Sequence, residues 1–155
     1  MKRNKNLIEL SRDHHHGLLL GWKIKQGLKL NTPIEVMADY VQHFSAHALF
    51  PHFDEEENQV LGYLDLQDNF RKRTITEHLE IREAVRLIAD SALCDKDALM
   101  NLAHKVEAHI RFEERELFPY IETLLTEEEL DEMGKLINEL HQPYLETYPN
   151  EFWNR

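Results

Sequence analysis

The chain has 155 residues, of which 42% are apolar and 30% are charged, as is typical of a globular domain with its own core. Its formal net charge of −11 argues against a phosphate-binding surface and so against a nucleic-acid partner. A single cysteine excludes an intrachain disulfide, and neither a signal peptide nor a membrane span is evident. We therefore expect one cytoplasmic domain over residues 1–155.

Five helices are predicted in chain order, because helix-forming residues dominate and only five glycines and five prolines occur. Thr32 and Thr126 each begin a capping-box pattern, and Pro51 predicts a kink or break inside the second helix. The helices cover about 11–28, 34–63, 70–92, 95–125 and 126–145. Long helices joined by short loops predict an all-α, up-down-up-down four-helix bundle over about 10–125. An additional C-terminal helix and an aromatic tail that could dock on the bundle follow over about 126–155.

Two ten-residue segments, 52–61 and 109–118, repeat one another. Each begins with a histidine and carries a glutamate four residues later, as His52 with Glu56 and His109 with Glu113. Residues spaced i and i+4 lie on one helix face, about 5–6 Å apart at their Cβ atoms. The spacing alone is common by chance in this chain, but the matched flanking residues make the segments copies. The repeat predicts two helices that aim an imidazole and a carboxylate at one metal site.

The first and third helices supply the remaining imidazoles. The third helix has one histidine, His78, which follows the acidic Glu77. In the first helix, residues 13–16 read Asp-His-His-His, and successive side chains turn by about 100°. Only one of the three can therefore point squarely at the centre, and the candidates are His14 and His15. The neighbour that is not a ligand can hydrogen-bond to a metal ligand.

The other histidines and the glutamates beside the repeat have simpler predicted roles. On an ideal helix, His47 should lie on a different face from His52. Pro51 could change the helical phase between them, and His47 would then be a metal ligand or would donate a hydrogen bond to a ligand. His104 and His141 are expected at the surface. A solvated face is predicted for Glu55, Glu57, Glu114 and Glu116, with Glu114 the one to watch because it lies five residues after His109.

Imidazole and carboxylate donors without thiolate favour Fe, Mn or Zn. Four histidines and two glutamates are too many ligands for one tetrahedral zinc ion. They suit two ions roughly 3.5–4 Å apart, bridged by Glu56 and Glu113, each ion keeping one histidine from each half of the chain. Such a centre favours reversible binding or reduction of a small diatomic molecule or a peroxide.

This pattern resembles the hemerythrin-like family, the HHE cation-binding domain, from about Leu10 to Leu125. The matching motifs are Asp13-His14-His15, His52-x3-Glu56, His78 and His109-x3-Glu113, followed by Glu114 and Leu117-Phe118-Pro119. The resemblance implies a four-helix bundle with a non-haem di-iron centre, two Fe joined by an oxo or hydroxo bridge. It also implies binding or sensing of O2, NO or peroxide.

The chain departs from the oxygen-carrying members of that family. They have two histidines four apart on the third helix, whereas Thr74 and Arg82 flank His78 here, and their last carboxylate is an aspartate five residues after the histidine. The chain is more similar to four-His, two-Glu members linked to nitric oxide, oxidative stress or iron–sulfur cluster repair. It lacks the cysteine-rich N-terminal segment of the repair type.

Two other functions are open from the sequence. One is a helical interaction or regulatory module, with structural metal or none, whose acidic surface docks a protein partner or a second copy in a homo-oligomer. The other is an enzyme with the same centre that reduces peroxide or NO or repairs iron–sulfur clusters. The sequence leaves open whether the chain is an enzyme.

Overall fold

The first two bundle helices are joined by a tight turn at Asn31. The computed structural model describes residues 2–154, so residues 1 and 155 of the predicted domain lie outside the described residues. Helix α1 spans Ile8–Lys29 and helix α2 spans Ile34–Phe44. Asn31 has a left-handed φ of 58°, and the backbone amide of Thr32 donates a 2.9 Å hydrogen bond to the carbonyl of Gly27. This arrangement closes the end of α1.

The capping box predicted at Thr32 is wrong. The residue that precedes α2 is Pro33, whose ring carries no polar atom to cap the helix. Its φ of −55° is already close to the helical value, so the fixed proline geometry sets the direction in which α2 begins.

The second and fourth bundle helices are continuous helical rods that widen into π-helical turns. In the second, α2 is followed by the π-helical turn Ser45–Leu49, α3 at Phe50–Glu55, the π-helical turn Glu56–Val60 and a 3-10 turn at Leu61–Tyr63. In the fourth, α5 at Lys96–Phe112 continues through the π-helical turn Glu113–Leu117 into α6 at Phe118–Leu124. The third bundle helix is α4 at Asn69–Ala89, which Asp68 caps.

Proline accounts for two of these three wide turns. A proline ring clashes with the carbonyl four residues earlier and lacks an N–H group to donate. Counting back four residues from Pro51 and Pro119 gives His47 and Arg115, which lie inside the turns that precede α3 and α6. An added residue in the turn accommodates the ring without ending the helix. In place of the kink or break predicted at Pro51, the helix therefore widens into a π-helical turn and continues.

Helix α1 packs against α5, and α4 packs against both α5 and α2. The predicted all-α four-helix bundle with an additional C-terminal helix is therefore confirmed. Two apolar clusters fill it, one containing Leu20 and Val106 and the other containing Leu10 and Phe118. Because both clusters draw on α1 and on the fourth rod, the side chains between them form a separate layer across the bundle. None of the helices within residues 2–154 has the length and apolar character needed to cross a bilayer.

Helix α7 spans Glu127–Leu140 and begins with the predicted capping box at Thr126. It was expected to reach about residue 145 but ends earlier, because a residue that precedes a proline disfavours the helical conformation and Gln142 precedes Pro143. The chain continues without regular secondary structure to Phe152 and Trp153, which are buried against the bundle as the sequence suggested.

Candidate metal centre

Six buried side chains meet in the layer between the two apolar clusters. Each of the four bundle helices contributes one imidazole, and the second and fourth rods also contribute a carboxylate. Glu56 and Glu113 are each the first residue of a π-helical turn and are fully buried. The six residues are His14, His52, Glu56, His78, His109 and Glu113.

The donor atoms converge on a small volume. Glu113 lies 2.8 Å from Nε2 of His14 through Oε1 and 3.2 Å from Nε2 of His109 through Oε2. Oε1 of Glu56 lies 3.2 Å from Nε2 of both His52 and His78. Every imidazole therefore presents its Nε2 atom to a glutamate in the centre.

The donors fall into two overlapping groups, and within each group all the donor atoms lie within 4.8 Å of one another. One group contains His14 and His52, the other contains His78 and His109, and Glu56 and Glu113 belong to both. The expected pairing of one histidine from each half of the chain is wrong. Each group takes both of its histidines from one helical hairpin, and the two glutamates are the shared residues.

A second layer of carboxylates holds the outer nitrogens of the imidazoles. Each Nδ1 atom lies 2.7–2.8 Å from one carboxylate and donates to it, in the pairs His14 with Glu114, His52 with Asp13, His78 with Glu57 and His109 with Glu77. A proton fixed on Nδ1 leaves the Nε2 lone pair directed at the centre. This arrangement is the one that metal-ligating histidines usually show.

The sequence contained a signal for these carboxylates. Glu57 and Glu114 are the second glutamates of the repeated Glu-Glu pairs, and Asp13 and Glu77 each precede a clustered histidine. The solvated face predicted for Glu57 and Glu114 is wrong, because each makes a 2.7 Å contact with a buried imidazole.

The structure separates the consecutive histidines of α1. His14 is buried in the cluster, whereas His15 is exposed and lies outside it. His47 is also exposed, and its ring packs at a tilt of 43° against that of His43, with ring centroids 4.5 Å apart. His104 is exposed as predicted.

The surface position predicted for His141 is wrong. Its side chain is only 6% exposed and contacts Asp13 and Glu55. The expectation that Glu55 is solvated is also wrong, because its carboxylate contacts the buried side chain of His141.

The cluster has the properties of a cation site. Of the eight buried side-chain atoms that lack a hydrogen-bond partner within the described chain, six belong to it: Nε2 of His52, His78 and His109, both oxygens of Glu56, and Oε2 of Glu113. Each such atom costs about 1–3 kcal/mol when it stays unpaired. One positive ion in each group would accept these lone pairs and together the two ions would satisfy all six atoms.

The electrostatics of the unliganded side chains agree with this. Burial alone would lower the pKa of His78 and of His109, but the glutamates of the cluster overcome this effect and raise the pKa values to about 9 and about 10. Burial opposes the charged form of Glu113, yet contacts with His109, His14 and His52 hold its pKa well below the usual value. Without an ion, protons held on the imidazoles therefore balance the negative charge of the buried Glu113 carboxylate.

A cavity of about 340 Å³ adjoins the cluster. His14, His52, His109 and Glu113 line it from the centre, and Phe44 and Ile110 are among its apolar walls. The residues after α7, including His141 and Tyr144, line it as well. The cavity gives a small molecule space beside the donor atoms.

The hemerythrin HHE cation-binding domain family matches residues 6–121. The match covers more than half of the chain, and the chain belongs to this family. The whole cluster lies inside the matched region, whereas α7 and the tail that follows it lie beyond it. No curated protein and no solved structure matches the chain significantly.

Proposed function

We propose that this chain is a two-metal hemerythrin-like protein that binds or senses a small oxidant or diatomic molecule. The ligands are His14 and His52 for one ion and His78 and His109 for the other, with Glu56 and Glu113 shared. The observation that carries the proposal is the set of six unpaired donor atoms that converge in a buried layer.

Iron is the proposed metal. All the donors are nitrogen or oxygen, a set that suits iron, manganese or zinc, and two shared carboxylates suit a pair of ions rather than one tetrahedral zinc. When bound, such a pair supplies Lewis acidity and, if it is iron, one-electron redox chemistry. A non-haem di-iron centre, as the family resemblance implies, is the form we propose.

The surrounding residues keep this centre ordered and short of water. The ring of Phe53 stacks on His78 with centroids 3.9 Å apart, and Phe118 stacks on His14 at 5.6 Å. The carboxylates on Nδ1 keep the imidazoles in one tautomer. A low local dielectric and fixed donors favour an uncharged or singly charged small ligand that enters through the adjoining cavity.

O2, NO and peroxide are the ligands we propose, because each fits beside the cluster in the 340 Å³ cavity. The test is to load the chain with iron and titrate it with NO and separately with azide while recording the visible spectrum. We expect new charge-transfer bands that saturate with ligand. An iron-loaded chain whose spectrum does not respond to either probe contradicts the proposed ligand class.

Turnover separates a binding protein from an enzyme with the same centre. Catalytic consumption of peroxide or NO in the presence of a reductant assigns the chain as an enzyme. Stoichiometric binding without turnover assigns it as a carrier or sensor.

A further inference from the structure

Each carboxylate that contacts an Nδ1 atom also has a second polar partner besides the imidazole. Glu77 accepts from Nε of Arg73 at 2.7 Å, and Nη2 of Arg82 lies 3.8 Å from Glu57. Glu114 accepts from Ser11 at 2.8 Å and lies 3.4 Å from Nη2 of Arg3. Three of the four carboxylates are thus held beside an arginine.

The fourth carboxylate is held differently. Asp13 uses one oxygen for Nδ1 of His52, at 2.8 Å, and its other oxygen lies 3.2 Å from Nε2 of His141. His141 comes from outside the bundle, as the first residue after α7, and from outside the region that the family matches. The fourth partner is therefore supplied by the C-terminal addition.

His141 is fixed from both sides. Its Nδ1 atom lies 2.9 and 3.0 Å from the two oxygens of Glu55, while its Nε2 atom faces Asp13. Asp13 and Glu55 directly precede the clustered residues His14 and Glu56. A displacement of His141 would remove one of the two imidazole contacts of the Asp13 carboxylate and so loosen one constraint on the ring of His52.

The segment that follows His141 is anchored a second time. Residues 141–154, here called the C-terminal strap, pass along the cavity, which Gln142 and Tyr144 line. Further on, Glu146 accepts from Nζ of Lys23 at 2.9 Å and also from the hydroxyl of Tyr40. The strap therefore spans the cavity between His141 and Glu146.

We propose that His141 is a positioning residue for the metal centre: by bridging Asp13 and Glu55 it fixes the carboxylate that orients His52, and it couples docking of the C-terminal strap to metal binding at the His14–His52 group. The inference rests on the proposed two-metal function. Coupling of this kind is reciprocal, so the metal stabilises the docked strap as much as the docked strap strengthens metal binding.

The first test is a Co²⁺ titration of the metal-free chain, followed by its visible d–d spectrum, for wild type, His141→Ala, His141→Gln and the control His104→Ala. We expect wild type and the control to bind two ions. His141→Ala should bind one ion with unchanged affinity and the other on the order of tenfold more weakly, with an altered d–d band for that ion. His141→Gln should recover most of the loss, because its amide can donate to Asp13.

The second test uses wild type alone and does not depend on how the variants fold. Chymotrypsin can cleave the strap after Tyr144 and Leu145, the latter 76% exposed. We expect saturating Co²⁺ to slow this cleavage severalfold, as measured by mass spectrometry, because the metal stabilises the docked strap.

The outcomes separate the two proposals. A wild-type chain that binds no metal overturns the proposed function, and the inference with it. If wild type binds two ions but the titration of His141→Ala is unchanged, the role of His141 alone is overturned. The same follows if both ions bind His141→Ala equally more weakly. Strap cleavage that is indifferent to Co²⁺ overturns the coupling alone.

Discussion

Removal of the metal should lower the thermal stability of the bundle substantially. The ions would bind the folded chain at two groups of converging donors, whereas the unfolded chain has no such groups. A site held at about 100 times its Kd stabilises the folded state by about 2.7 kcal/mol, so two independent sites give about 5 kcal/mol. For a chain of this size, about 1 kcal/mol shifts Tm by about 2–4 °C, and the predicted loss is about 10–20 °C.

The assay is differential scanning calorimetry of the metal-loaded chain with and without an excess of chelator. The metal-free chain should still unfold cooperatively, because the two apolar clusters on either side of the centre remain. In His109→Ala, the free energy of unfolding should differ between the loaded and chelated chains by at most the contribution of one metal site, about 2.7 kcal/mol. Equal Tm values for the loaded and chelated wild type would refute the reasoning.

Glu77→Gln removes the charge that holds Nδ1 of His109, so we expect affinity for one ion to fall about 10–100-fold in a calorimetric titration. In the metal-free chain, His78 and His109 have pKa values raised to about 9 and about 10, above the value of about 6.5 for an unfolded chain. The stability they contribute is therefore fully present below about pH 6.5 and is lost as the pH rises towards 10, which urea unfolding across this range would measure. Trp153→Ala removes a buried indole and should lower the free energy of unfolding by about 3–5 kcal/mol.

Each of these predictions has a control or a contrary result. The exposed Glu128→Gln should leave metal affinity unchanged, and an equal effect of Glu77→Gln and Glu128→Gln would contradict the role of the outer carboxylate. A stability profile of the metal-free chain that is flat from pH 6.5 to 10 would contradict the raised pKa values. The exposed Leu145→Ala should be nearly neutral, and a similarly small effect of Trp153→Ala would contradict docking of the tail.

The central ligands could be predicted because their pattern is local. His52 with Glu56 and His109 with Glu113 lie one helical turn apart, so the sequence spacing already fixes their common face. The choice between His14 and His15 could not be made from spacing alone. It depends on how α1 is rotated in the bundle, and the buried Leu10 and Gly17 show that the His14 face points inward.

The repeat and the acidic residues before the histidines mark the outer carboxylates, but which imidazole each one contacts could not be predicted, because the contacts join distant parts of the chain. His109 contacts Glu77, which lies on another helix, and His141 contacts Glu55, which lies 86 residues earlier in the sequence. Such contacts depend on helix packing and on the course of the chain after α7. The π-helical turns added a further obstacle, because each inserts a residue and changes the face that later side chains occupy.

The metal content of the purified chain tests the central claim most directly. After iron-replete expression, mass-spectrometric metal analysis should find about two iron ions per wild-type chain and per exposed His104→Ala variant, and at most one per His109→Ala chain. If the wild-type chain carries no transition metal and His109→Ala gives the same result, the assignment of the cluster as a two-metal centre is contradicted.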